Sequence, residues 1–467
     1  MNIKKAIYSP RGPIFSGCVA ALISLFVLAS LINSSSIVWD GKENLTAASN
    51  LIRYGVFSVA HDSTPSPDMK REPAWPTLTA GLLLLTRLHQ IEPDLLAIRH
   101  QALFKGMNAV FLALVVGLTS GLAWFWARRP ATAWIISLML ALTALATTPR
   151  LVNYFNNEPL AMLLLLVASA LTLFASNGAW RSAISLGLAL GLLALTKAQF
   201  LYIAFVPIVA LGFISKKQAG FALLAFTLVV TPWIIRNTVT FAKPAISERG
   251  KTVAAVRMIM VTEYRQSEYA CMAFAFTHPK WREKVGGMLG ITLQDFNRNA
   301  RCERFNRDAG FDMGLEKVSR TFFPEDIAAL SEGDWRKAVQ CRVKGRVIGL
   351  EIEANRLRFT DITTLSLENM VRYVQTLPLF AWRGMGFSAF PWLSILLTIS
   401  AFSLIFTRLW PLAVLALSSH LFHLLFTHNI PRFHAIELGV MIFATAYLLD
   451  MAFTLAMRTL QNWTFRQ

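Results

Sequence analysis

Residues 35–57 read SSIVWDGKENLTAASNLIRYGVF, a carboxylate set between an apolar run and an amphipathic one. Upstream, residues 14–39 form an apolar run long enough to cross a bilayer. Downstream, Leu45, Ala48, Leu51 and Ile52 recur at helical spacing, the pattern of a helix that lies flat on a surface. Between the two stands Asp40, within a residue or two of the bilayer boundary, where a charge is costly unless it is paired or used. The run ahead of it is too long for a cleaved signal peptide and has no small-residue cleavage site before Asp40, so it reads as a retained first span.

The rest of the chain repeats that first run. Of 467 residues 55% are hydrophobic and only 15% charged, where a soluble chain carries about a quarter charged. The excess lies in continuous apolar runs rather than alternating ones, which argues for a polytopic all-α membrane protein and against a β-barrel. About ten spans are expected, near 14–39, 103–127, 130–149, 159–176, 181–197, 199–214, 219–236, 388–407, 410–427 and 435–456.

The net charge of +18 does not point to nucleic acid. Lys4, Lys5 and Arg11, then Arg128-Arg129, Arg181, Lys216-Lys217, Arg408, Arg458 and Arg466 all fall in short loops on one side, and no acidic residue joins them. This positive-inside pattern places both termini in the cytoplasm and suits contact with anionic lipid.

The organisation expected is a transmembrane module over 1–236, with a first outer loop at 40–102, then an outer domain over 237–387 and C-terminal transmembrane helices over 388–467. Within the first loop, residues 74–88 are apolar but too short to span comfortably and read as an in-plane or shallow re-entrant helix. The outer domain reads mainly helical. In FFPEDIAALSEGDWRKAVQCRV, Pro324 followed by Glu325 and Asp326 marks a helix start. Cys18 in the first span reads as a small buried apolar residue. Cys271, Cys302 and Cys341 fall in the outer domain, where two can pair in an oxidising compartment, and the sequence does not choose among the three pairings. His420 and His423 stand one helical turn apart near the ninth span with His428 beyond, but no carboxylate joins them in sequence, so no metal site is expected there.

Charged residues gather at the outer boundary. Asp40 ends the first span, Arg71-Glu72-Pro73 closes the first flat stretch, Glu158 opens the fourth span, Lys197 ends the fifth, Arg236 ends the seventh and Arg432 precedes the last. The topology sets them at one level on one side, a pocket with carboxylates for a reacting hydroxyl and cations for a lipid phosphate. Each also has a plainer reading. Lys197, Arg236 and Arg432 suit snorkelling to headgroups, Glu158 suits a helix N-terminus, and Asp40 suits a helix cap. Glu43 lies one turn beyond Asp40 and competes with it for any catalytic role.

In order, these motifs resemble the GT-C superfamily of integral-membrane glycosyltransferases, in the branch of the protein O-mannosyltransferases and lipid A aminoarabinose transferases. The resemblance covers most of residues 14–240 and, more loosely, the last three spans. It rests on Asp40 followed by Ala48-Ser49-Asn50-Leu51 and Gly55-Val56-Phe57-Ser58, on REPAWP at 71–76, on Glu158, on GLLALTK at 191–197 and on PWIIRN at 232–237. The chain departs from it at Asn44, where the family often has an aromatic residue, and at Ala198, where it often has glycine.

The resemblance implies an inverting transferase that takes a sugar from a polyprenyl-phosphate donor and passes it to a glycolipid, polysaccharide or protein acceptor on the periplasmic face of a bacterial inner membrane. Asp40 is then the expected base, with Glu158 orienting the acceptor or Asp40 itself. Arg71, Arg236, Lys197 and Arg432 are expected at the donor phosphate, and Glu43 and Glu72 are further candidates. No cofactor is expected, although some GT-C enzymes hold a divalent metal on their acids. The competing readings are a transporter or flippase of lipid-linked saccharides, which calls for polar residues through the membrane midplane, and an O-antigen-type ligase, which leans on arginine and histidine in its outer loop.

Overall fold

The computed structural model describes residues 11–38, 40–248, 264–296, 300–302, 369–386, 390–427 and 434–464, with the single positions 253, 254, 257, 261 and 367. Among these residues there are helices and turns and no strand. Among the described residues five helices are long and apolar enough to cross a membrane: α1 (Arg11–Ser30), α5 (Gln101–Trp126), α7 (Glu158–Ser176), α10 (Lys216–Phe241) and α16 (Leu438–Thr464). Shorter helices include α2 (Asp40–Tyr54), α3 (Ala74–Leu85), α4 (Pro93–Arg99), α6 (Pro130–Ala146), α8 (Trp180–Thr196), α9 (Phe205–Ile214), α14 (Pro391–Ser403) and α15 (Trp410–Phe426). The chain is thus a helical membrane protein, as its apolar runs require, because in hydrocarbon a helix satisfies every backbone donor within its own segment.

By packing the chain divides into two compact units. One comprises Met1–Glu248, Phe390–His420 and Ala435–Gln467, and the other Arg249–Ala389 with Leu421–His434.

Within the first unit α1 lies against α5. Small residues permit it: a Cβ on Gly17 would come within 2.9 Å of the Gly117 carbonyl oxygen, and one on Gly117 within 2.8 Å of that of Gly17. Dispersion at close backbone approach drives such packing in lipid. Asp450 on α16 accepts hydrogen bonds from the backbone N–H of Arg128 (2.8 Å) and Arg129 (3.1 Å), tying the last helix to the turn between α5 and α6.

Three expectations need correction. The first span does not stay helical to residue 39: α1 ends at Ser30. The cause is Lys105, wholly buried on α5, whose ammonium donates to the carbonyls of Asn33 (2.9 Å) and Ser35 (2.6 Å) and turns them away from a helix axis. The seventh helix runs past residue 236 to Phe241, so residues 237–241 extend it instead of opening an outer segment. Cys18 lies on an exposed face of α1, not in the core. The expected segment at 199–214 is an apolar helix over Phe200–Ile214, with a single turn residue at Ala204. Pro207 has no N–H for the Ile203 carbonyl.

The second unit holds α11 (Tyr269–Phe276), α12 (Arg282–Leu289) and α13 (Met370–Met385). Its core gathers Tyr264, Met272, Phe274, Phe276, Leu379 and Phe380 around a disulfide between Cys271 and Cys302. That settles one of the open pairings. Trp39, the helix start at Pro324, Cys341, His428 and Arg432 lie outside the described residues.

Candidate active site

Asp40 and Glu43 occupy the first turn of α2, where the helix N-terminus favours acids. Three residues apart, they share one face. Beneath them sits Arg71, only 3% exposed. Its Nη2 donates to Asp40 Oδ1 at 2.7 Å and pairs as well with Glu43 Oε2. Lys70 reaches the other Glu43 oxygen at 2.9 Å. The two carboxylate side chains remain 24% and 28% exposed, so the acids face outward over a buried cation. Arg71 Nε is buried and has no hydrogen-bond partner among the described residues. Glu72, next in sequence, belongs to a different contact: the Ser247 hydroxyl donates to it at 3.5 Å.

The loop that carries Arg71 is built by its own polar side chains. Asp68 accepts from the backbone N–H of Val59 (2.6 Å) and Lys70 (3.0 Å). Asn50 of α2 donates to the carbonyls of Ser58 and Ala60. Arg236 donates to the Asp68 carbonyl at 3.1 Å, and the Glu248 N–H donates to the Met69 carbonyl at 3.1 Å. Arg236 is also flanked by Trp233 and Phe241, with its guanidinium carbon 4.8 and 5.1 Å from their ring centroids. It therefore braces the loop ahead of Arg71.

The other acid candidate is placed through Phe155. Gly41 lets α2 sit directly on that residue, since a Cβ there would come within 2.8 Å of the Phe155 carbonyl oxygen. The Phe155 ring packs 5.2 Å from both Trp75 and Phe104. Three residues on, Glu158 opens α7, and its Oε1 accepts from Lys197 Nζ at 2.8 Å. Both are buried. Asn157 fixes the approach by donating to the Thr196 carbonyl at 2.6 Å.

The structure thus brings Asp40, Glu43 and Arg71 into direct contact, joins Glu158 to Lys197, and connects Arg236 to the Arg71 loop by backbone. It places Glu72 elsewhere in that loop. Sequence reasoning missed Lys70, Asp68 and Asn157; Asp68 three residues before a basic–acidic–proline turn was the available signal. It also missed the carboxylate near His420, because Glu437 is distant in sequence: His420 Nδ1 lies 3.0 Å from Glu437 Oε2, both buried in the first unit. This pair offers an imidazole and a carboxylate, donor types that divalent metals accept.

Chemically, the α2 cluster presents two carboxylates held by one guanidinium, able to accept a proton from a hydroxyl brought alongside. No protein family, curated protein or solved structure matched the chain in the three comparisons made.

Proposed function

We propose that the chain is an inverting glycosyltransferase of the GT-C type. It takes a sugar from a polyprenyl-phosphate donor and gives it to an envelope acceptor, a glycolipid, polysaccharide or protein. The reading includes about ten spans, cytoplasmic termini and an active site on the periplasmic face of a bacterial inner membrane. The observation that carries it is the Asp40–Arg71 contact, which joins the boundary carboxylate to the basic–x–proline motif across the first loop. The Cys271–Cys302 disulfide supports placing the second unit on an oxidising side.

In the proposed reaction the acceptor hydroxyl gives its proton to Asp40. Its oxygen forms a bond to the anomeric carbon as the bond from that carbon to the phosphate oxygen breaks, and polyprenyl phosphate leaves with the electron pair. The configuration inverts because attack is opposite the leaving group. The leaving phosphate is stable, so base and position carry the catalysis.

The contact also divides the roles. A base and a leaving phosphate stand on opposite sides of the sugar carbon, so one guanidinium already holding Asp40 acts first as its positioning residue. Lys70 and Lys197 are then the nearer choices for the phosphate, with Glu158 setting the Lys197 ammonium in place.

The test is mass spectrometry of envelope glycans in cells lacking the protein, complemented with wild type or Asp40→Asn at matched membrane levels. A sugar mass lost in the deletion, restored by wild type and not by Asp40→Asn supports the reading. Full restoration by Asp40→Asn overturns the base assignment and favours the transporter reading.

A further inference from the structure

The second unit contains a buried cation that no carboxylate pairs with among the described residues. Arg257 is 1% exposed; the Tyr373 hydroxyl lies in hydrogen-bonding reach of its guanidinium, and the remaining N–H donors have no partner among the described residues. Its guanidinium carbon lies 3.3 Å from the ring centroid of Phe380 and 5.0 Å from that of Tyr373. Behind Phe380, at 5.4 Å, is the ring of Phe276, and over that ring, at 4.6 Å, is Arg383. The order is cation, ring, ring, cation. Burial lowers Arg257 to about 10; it lowers Arg383 to about 9, with repulsion from Arg257 adding to the effect.

Stacking on an aromatic face offsets part of the cost of burying a guanidinium. It leaves most of the N–H donors unsatisfied, because they point outward in the guanidinium plane, where the Tyr373 hydroxyl can meet only part of the fork. A buried charge with unsatisfied donors is costly unless an acceptor arrives. The in-plane fork matches the oxygens of a carboxylate or phosphate. A second arginine within electrostatic range favours an anion of charge near −2, which a carboxylate does not supply.

We propose that Arg257, stacked on Phe380 and seconded by Arg383, is a binding site for a phosphate-type anion. It uses no residue of the Asp40 cluster and does not rest on the glycosyl-transfer reading. The phosphate belongs either to a lipid headgroup or to a soluble phosphorylated molecule, and the two sources separate by experiment.

The full chain is placed in nanodiscs of phosphatidylcholine. Its thermal unfolding is followed with inorganic phosphate against chloride at matched ionic strength, and again with phosphatidic acid added to the disc. The expected result is a saturable rise in Tm with at least one probe, absent in Arg257→Met. A response to inorganic phosphate assigns a soluble ligand, and a response to phosphatidic acid alone assigns a headgroup. Without either probe, Arg257→Met should melt no lower than wild type, because an unpaired buried charge has been removed. Arg257→Lys should fold and bind about tenfold more weakly or worse, having lost the fork.

No shift in wild type, or an equal shift in Arg257→Met, overturns the proposal. If Arg257→Met does not fold, Arg257→Lys decides: wild-type affinity in that variant, or its own failure to fold, makes Arg257 a structural stacking residue and ends the proposal.

Discussion

Arg71 Nη2 and Asp40 Oδ1 meet at 2.7 Å across 31 residues of sequence. The arginine is buried and the aspartate is partly open, so the cation serves as a floor and the carboxylate as the working surface. Glu43 shares the same nitrogen. Two acids on one cation are not equivalent for a base, because the one nearer the reacting hydroxyl takes its proton.

The first prediction concerns that choice. Asp40→Asn keeps the shape and the contact to Arg71 but removes the base, and should lower glycosyl transfer by about 10²–10⁴-fold. Glu43→Gln should cost less, since Arg71 remains to hold Asp40. Both are read as the amount of modified glycan per membrane-inserted protein. A larger loss for Glu43→Gln than for Asp40→Asn would move the base to Glu43.

The second prediction tests the packing that sets α2 in place. Gly41→Ala puts a Cβ within 2.6 Å of Ile37 Cγ2 and 2.8 Å of the Phe155 carbonyl oxygen. The isoleucine can rotate, but the carbonyl belongs to a backbone whose neighbours Asn108 holds by donating its amide N–H to the carbonyls of Leu151, Val152 and Tyr154. Overpacking of this kind costs about 1–3 kcal/mol. Gly81→Ala is the control: it lies within α3 with open space around it, and the gain in helix propensity should stabilise by up to about 1 kcal/mol. Thermal unfolding of the two variants should therefore shift in opposite directions.

How much of this was legible in the sequence follows the range of each signal. The start of α2 at Asp40 was legible because acids in a first turn and an amphipathic stripe are local. The long apolar helices were legible because hydropathy over about 20 residues is a strong signal. The end of α1 was not, since residues 31–38 carry no strong helix breaker and unwind only because Lys105, some 70 residues away, takes their carbonyls. The partners of the site charges were hidden for the same reason. Sequence set Asp40, Arg71, Glu158 and Lys197 at one level, but which acid met which cation depended on Gly41 seating α2 on Phe155 and on Asn157 reaching Thr196.

The third prediction is covalent. Cys271 and Cys302 are 31 residues apart, and closing a loop of that length stabilises by about 3–4 kcal/mol in the chain-entropy account. Cys302→Ser should lower the unfolding temperature of the second unit and leave the first unit's transition in place. Peptide mapping without reductant should recover a Cys271–Cys302 cross-link. A cross-link from either residue to Cys341 would contradict the structure.

The last prediction separates structure from chemistry at the second acid–cation pair. Glu158 and Lys197 are both buried and bonded at 2.8 Å. Removing one member breaks a buried ion pair, so Glu158→Gln or Lys197→Met alone should destabilise by about 3–5 kcal/mol. The double variant should recover much of that loss, which a double-mutant cycle in thermal or denaturant unfolding will read as a strong coupling. Activity then discriminates. If the pair only fixes α7 against α8, transfer should return with stability in the double variant. If Lys197 holds the donor phosphate, the double variant should be stable and still deficient, with the deficit falling on the apparent affinity for the polyprenyl-phosphate donor. Recovery of both would remove Lys197 from the site and leave Lys70 as the cation at the phosphate.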